Sequence, residues 1–297
     1  MVVAPLELFC RSCGAKLVVE ATHRTARCPY CDSPSVIDRP ATRDRPDPVF
    51  VIGFAIDRKR ARGILKDHLK GRHWAPQTLR HAAAERVEGI YVPAYLYSAI
   101  ADSRYRASIG ENYTTTEYDV KRKSFRRVTK TELRALEGPH RCSVDDLVVT
   151  ASEGIPNTEL EAVEPFDLSD IRRFSPAMIS GWSSEEPSLS RDDSLELARR
   201  ESREEVRRRL AAFMPGDSHH RLEAVTELTD EAMDLVLLPV WVCAVRWRRD
   251  RAPIRLLVNG QTGRVAGKIP VSWAKIAAVI GTGLALIGLG LILGALL

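Results

Sequence analysis

The sequence predicts an α+β chain built from an N-terminal zinc ribbon, two related α+β modules with antiparallel β-hairpins, and a C-terminal transmembrane helix. Three observations lead there. Two C-x-x-C pairs open the chain, two similar apolar-to-basic stretches each follow an amphipathic helix, and the last 22 residues carry no charge. The boundaries that follow are 1–38 for the ribbon, 39–48 for a linker, 49–135 and 136–270 for the modules, and 271–297 for the tail. A chain of 297 residues has room for two compact domains plus appendages. Its 28% charged and 44% hydrophobic content is that of a globular protein and excludes wholesale disorder.

The ribbon rests on Cys10, Cys13, Cys28 and Cys31, which give C-x2-C, fourteen intervening residues and a second C-x2-C. Each pair offers two thiolates from one backbone knuckle, and four thiolates complete a tetrahedral structural zinc site. Spacing alone leaves iron in a rubredoxin-like site open. The stretch "GAKLVVEATHRTAR" between the pairs is β-prone and long enough for a hairpin that brings them together. With every position filled by cysteine, a metal here has no open coordination site for catalysis. "MVVAPLELFC" lacks the features of a signal peptide, so the body is expected in the cytosol, where thiols ligate metals rather than pair as disulfides. The remaining cysteines, Cys142 and Cys243, stand alone. Residues 1–40 hold five Lys/Arg against four Asp/Glu, and a zinc tetrathiolate adds two negative charges. That balance is poor for neutralising phosphates. The following "SVIDRPATRDRPDPVF" has prolines at 40, 46 and 48 and reads as a semi-rigid linker.

In the body, "GIYVPAYLYSAIADSRYR" (89–106) and "LVLLPVWVCAVRWRRDRAPIR" (235–255) each run apolar into a proline and then turn basic. Aligning Pro93 with Pro239 pairs Tyr95 with Trp241, which suggests repeated modules. A charged amphipathic helix precedes each, over 58–71 and about 191–214. In the second, Ser190 caps the start, Asp192 and Asp193 suit the helix dipole, and Leu195, Ala198, Val206, Leu210 and Phe213 mark a core stripe. Glu196 to Arg200, Glu204 to Arg208 and Glu205 to Arg209 stand at i,i+4. Near 252–273 a hairpin is expected with Asn259-Gly260 at positive φ and a second strand after Gly263.

Net charge is +5, and it is blocked. Residues 57–73 hold seven Lys/Arg against two Asp, 121–134 seven against one Glu, and 145–193 three Arg against twelve Asp/Glu. Each block reads first as a solvated face. The tail, Ile276 to Leu297, is long enough to cross a bilayer, and Lys275, Lys268 and Arg264 on its N-terminal flank place the body on the cytoplasmic side of the cell membrane. Its "GLILG" step at 290–294 permits a dimer through the helix.

No nucleotide-binding loop, dinucleotide fingerprint, H-E-x-x-H or G-x-S-x-G is present, so no enzyme is expected and no catalytic or cofactor-binding residue is assigned. His219-His220 reads as a surface pair, and His140 with Cys142 lacks an orienting partner. Asp145 and Asp146 are expected to cap a turn before the strand "LVVTAS".

Taken in order, "CRSCGAKL", "CPYCDS", "YVPAYLY", "VDDLVVTAS", "LLPVWVCAVRW" and "VNGQTGRVAGKIPVSWAKI" resemble a bacterial family of membrane proteins with an N-terminal TFIIB-type zinc ribbon, often labelled helicase-like. The ATP-binding motifs that a helicase requires are missing. The resemblance implies association with SPFH-domain and phage-shock-type membrane-stress proteins. The function expected is therefore a membrane-anchored cytosolic zinc-ribbon adaptor that recruits protein partners. The alternative is a membrane-tethered nucleic-acid-binding protein using the ribbon with segments 57–73 and 121–134.

Overall fold

A computed structural model describes residues 46–119, 124–248, 250 and 252–283, together with four short strands nearer the N-terminus. Numbered in chain order, those strands are β1 (Leu6–Phe9), β2 (Lys16–Val19), β3 (Thr25–Arg27) and β4 (Pro34–Val36). β1 pairs with β2 and β3 with β4, both antiparallel, as separate two-stranded sheets. The hairpin expected within residues 14–27 is thus replaced: β2 and β3 each pair outward, β2 onto the alternating "LELF" segment before it. Cys10, Cys13, Cys28 and Cys31, the expected zinc ligands, lie outside the described residues. Among the described residues no group of three or more His, Cys, Asp or Glu is placed to hold a metal ion.

The tail is corrected in the same way. Residues 273–283 are helical, while 284–297, most of the expected span, lie outside the described residues. Among the described residues no helix is long and apolar enough to cross a membrane. The single-pass anchor and the membrane localisation drawn from it have no described element behind them.

Strands dominate. Eight of them form one sheet: β5 (Phe50–Val51), β6 (Ala84–Asp119), β7 (Ser124–Thr150), β8 (Arg172–Arg173), β9 (Ser183–Ser184), β10 (Ser218–Val245), β11 (Ile254–Asn259) and β12 (Val265–Ala266). Besides residues 273–283, the described α-helices are α1 (Arg58–Gly71), α2 (Gln77–Arg80), α3 (Asn157–Val163) and α4 (Arg191–Phe213). Two compact units result, one from residues 1–93, 152–188 and 236–297, the other from 94–151 and 189–235. The expected consecutive modules, 49–135 and 136–270, each contribute to both units, because the long strands β6 and β10 run from one into the other. Tyr95 and Trp241, equivalent in the repeat alignment, sit in the cores of different units. Two related modules are therefore not what the chain forms.

In the first unit Asp57 caps α1 by accepting the Arg60 N–H at 2.7 Å, and Ala61, Leu65 and Leu69, four apart, are its buried face. They pack with Trp241, whose indole N–H donates to the Ile56 carbonyl at 2.9 Å. Phe54 stacks on Trp182 with ring centroids 4.0 Å apart, and Trp241 meets Phe54 edge-on. Only glycine fits at 260, where a Cβ would lie 2.6 Å from the Phe54 ring. The hairpin expected within 252–273 forms between β11 and β12, but positive φ falls at Gly263 (+80°) rather than at Asn259-Gly260.

In the second unit β6 lies beside β7 and β10, and α4 packs on β7. Ser190 caps α4, accepting from the Asp193 N–H at 3.0 Å, as expected from the sequence. Ala198, Val206 and Leu210 are fully buried, but Phe213 is 61% exposed and does not belong to the stripe. Glu205 pairs with Arg209, while Glu196 bonds Arg199 instead of Arg200. The expected turn at Asp145-Asp146 is a bulge inside a continuous strand: Tyr97 pairs with Leu147 and Ala99 with Val144, and Asp146 has φ of +61°.

Candidate functional site

The chemistry-bearing residues singled out in the sequence do not converge. His219 and His220 are exposed at the start of β10. His140 and Cys142 share one side of β7, where the His140 ring meets Phe213 at 5.8 Å between centroids and the Cys142 thiol lies by Arg209. Cys142 is half-buried; Cys243 is buried in the first unit, and burial pushes its thiol up to about 12.

Two polar networks escaped the sequence reading. Tyr97 and Arg199 converge on Glu231 in the second unit. In the first, the Asn259 side chain donates to the Val163 and Pro165 carbonyls at 2.9 and 3.1 Å while accepting the Gln261 and Thr262 N–H groups. Gln261 in turn accepts the Asp167 N–H and donates to the Asp167 carbonyl. Between the tied residues, Glu164 keeps one buried carboxyl oxygen without a hydrogen-bond partner among the described residues. Burial, with the Glu161 carboxylate nearby, raises its pKa to about 7 against the pull of Arg264. The adjacency of these residues is tertiary, and only the unusual "NGQTG" hinted at it.

The most distinctive surface is the outer part of the β6–β7 hairpin. Alternate β6 residues Ala99, Ala101, Tyr105, Ala107 and Ile109 are buried, the small ones giving α4 close approach. Cover stops at Gly110. There the chain after α4 turns at Gly216 (φ +87°), the Asp217 N–H donates to the Gly110 carbonyl at 2.9 Å, and the Asp217 carboxylate accepts the Asn112 N–H at 2.7 Å. A Cβ at Gly110 would lie 2.4 Å from the Ser218 hydroxyl.

Beyond this point the register is unbroken from Gly110↔Leu133 to Asp119↔Ser124. Ten residues per strand make an arm of about 30 Å. Directly opposed residues share a face, so one face carries Asn112, Thr114, Thr116 and Tyr118 with Phe125, Arg127, Thr129 and Thr131, and no carboxylate. The other carries Glu111, Tyr113, Thr115 and Glu117 with Arg126, Val128, Lys130 and Glu132. On it Glu117 and Lys130 pair, which lowers the carboxyl pKa and raises that of the amine. Tyr118 and Phe125 meet edge to face at 5.2 Å yet remain 53% and 75% exposed, and Tyr113 and Leu133 are 48% and 60% exposed. Tyr118, Phe125 and Leu133 share one face of the arm, and Tyr113 stands on the other. Nearer the unit's core the same strands form open grooves of 710 and 610 Å³ lined by charged residues such as Arg104, Arg106, Arg141, Glu223 and Glu227.

The chain is 25% identical over 243 residues to the uncharacterized protein YdjG of Bacillus subtilis (strain 168). The match covers 78% of this chain and 66% of that protein, just under two thirds of its length. No family model matches the chain, and no solved structure matches it.

Proposed function

We propose that the chain is a protein-recruiting adaptor whose docking element is the outer arm, Gly110–Asp119 with Ser124–Leu133. The observation that carries this reading is the exposure of Tyr113, Tyr118, Phe125 and Leu133 on an extension that leaves its own unit's helix behind. An arm with nothing of its own to cover offers aromatic anchors at small entropic cost, the kind of residue that dominates protein interfaces. The sequence resemblance supports SPFH-domain and phage-shock-type proteins as partner classes. The test is a photo-crosslinking amino acid placed at Phe125 in cells, with Arg106 as the control position on the same hairpin. One or a few discrete adducts at 125 but not at 106 are expected; identical smears at both positions, or no adduct, would refute the reading.

A further inference from the structure

β7 is an edge strand. Among the described residues it pairs with β6 alone, from Ser124 to Thr150 apart from the bulge at Asp145-Asp146. Open edges invite a further strand, and proteins blunt them with proline, bulges or charge. Here the devices are unevenly spread. The inner part of β7 has Pro139 and the bulge at Asp145-Asp146, while Ser124 to Gly138 has neither. Nearly every residue from Ser124 to Ala135 is exposed, Val128 alone being half-buried.

Pro139 also shows which way the backbone faces. It has no N–H for the ladder, yet it sits in unbroken register opposite Arg104. That is the edge-strand placement in which a proline nitrogen turns to solvent. Successive N–H groups alternate sides, so in steps of two Leu133, Thr131 and Thr129 also present theirs to the outer side.

The side chains select the occupant. Arg126, Arg127, Lys130 and Arg134 stand along this stretch against Glu132 and Glu137. Lys130 is paired with Glu117, and Arg134 with Glu111 and Glu132, whereas Arg126 and Arg127 have no ion pair among the described residues. A second copy would bring the same cations to the seam. A strand carrying carboxylates meets complementary charge.

We propose that the outer edge of β7 between Ser124 and Gly138 takes an added β-strand from an acidic, extended segment of a partner protein. The backbone ladder supplies affinity and Arg126 and Arg127 supply selectivity. This rests on the adaptor reading and specifies how its arm binds.

The test uses the full chain and, as probe, a labelled ten-residue peptide alternating Glu with Val, beside the same peptide N-methylated at alternate positions. The unmodified probe should slow amide exchange at Thr129, Thr131 and Leu133 at least tenfold, and the methylated one should not. Thr131→Pro, which removes an outward N–H as Pro139 already does, should weaken binding at least tenfold, and Thr131→Val should not. Arg126→Glu with Arg127→Glu should weaken it similarly and keeps the test valid if the proline variant misfolds. Unchanged binding by a folded Thr131→Pro chain, no protection of the edge amides, or tighter binding of a thymidine 15-mer at the same amides would overturn the proposal. If cross-links at position 125 persist unchanged in Thr131→Pro, strand addition fails while the adaptor reading stands; if position 125 never cross-links, the adaptor reading itself fails.

Discussion

Tyr97 donates its phenolic proton to Glu231 at 2.7 Å across 134 positions of sequence, and Arg199 from α4 closes on the same carboxylate with two N–H bonds of 2.8 Å. One carboxylate therefore joins β6, β10 and α4. Burial and the bond to Glu231 hold the Tyr97 phenol far above its ordinary range, so it is a fixed donor at all working pH. Tyr97→Phe should cost about 1 kcal/mol, the loss of one hydrogen bond. Glu231→Ala strands the Tyr97 hydroxyl and leaves Arg199 with Glu196 alone, and should cost about 2–3 kcal/mol. Urea unfolding of the two variants measures the difference, and equal costs would show that Glu231 is not the hub.

The Glu164 carboxyl should make stability fall as pH rises. Its folded pKa, about 7, lies above the ordinary value, so the folded chain holds a proton that the unfolded chain has released. The contribution is complete below the ordinary carboxyl pKa and is lost as pH rises through about 7. Glu231 has the opposite sign, because its hydrogen bond to Arg199 lowers its pKa, and its contribution is lost as pH falls below the ordinary carboxyl range. Melting temperatures between pH 5 and 8 should decline more steeply for the wild type than for Glu164→Gln; parallel curves would remove Glu164 as the cause.

Gly260→Ala should destabilise the first unit by about 1–3 kcal/mol, since the added methyl lies 2.6 Å from the Phe54 ring and 2.8 Å from the Pro239 carbonyl oxygen. Gly53→Ala meets nothing within 4 Å and is the control. A thermal melt in which both variants match the wild type contradicts the close packing assigned to the Phe54, Trp182 and Trp241 rings.

Ser190→Ala should cost about 1 kcal/mol by freeing the Asp193 N–H at the start of α4. Helicity near 222 nm should be lost at lower urea than in the wild type, and an unshifted midpoint would mean that Asp192 and Asp193 alone hold that terminus.

The helices were the legible part of this fold. Leu65 and Leu69 recur at helical spacing, and Ser190 precedes two acids as a cap should, so both long helices stand where the periodicity puts them. The long strands were not legible. From Gly110 outward β6 and β7 face water on both sides, so Thr114, Thr116, Thr129 and Thr131 give β-propensity without the apolar alternation that marks a half-buried strand. The arm read instead as a basic segment. Its aromatic pair escaped notice for a related reason, because Tyr118 and Phe125 become neighbours only once the register is fixed. The 254–266 hairpin was visible in Asn259-Gly260, but the work of Asn259 in tying down residues 163–165 depends on a contact 94 to 96 positions away.

Removing the arm tests its role most directly. Replacing residues 114–129 with Asn-Gly joins Tyr113 to Lys130, an existing opposed and hydrogen-bonded pair, through a two-residue turn and leaves the residues buried beneath α4 in place. The wild type and the shortened chain are compared for cross-linked partners by quantitative mass spectrometry, with melting curves alongside. The account predicts an unchanged melting temperature and loss of the partners that cross-link at position 125. A shortened chain that melts normally and keeps every partner would contradict it.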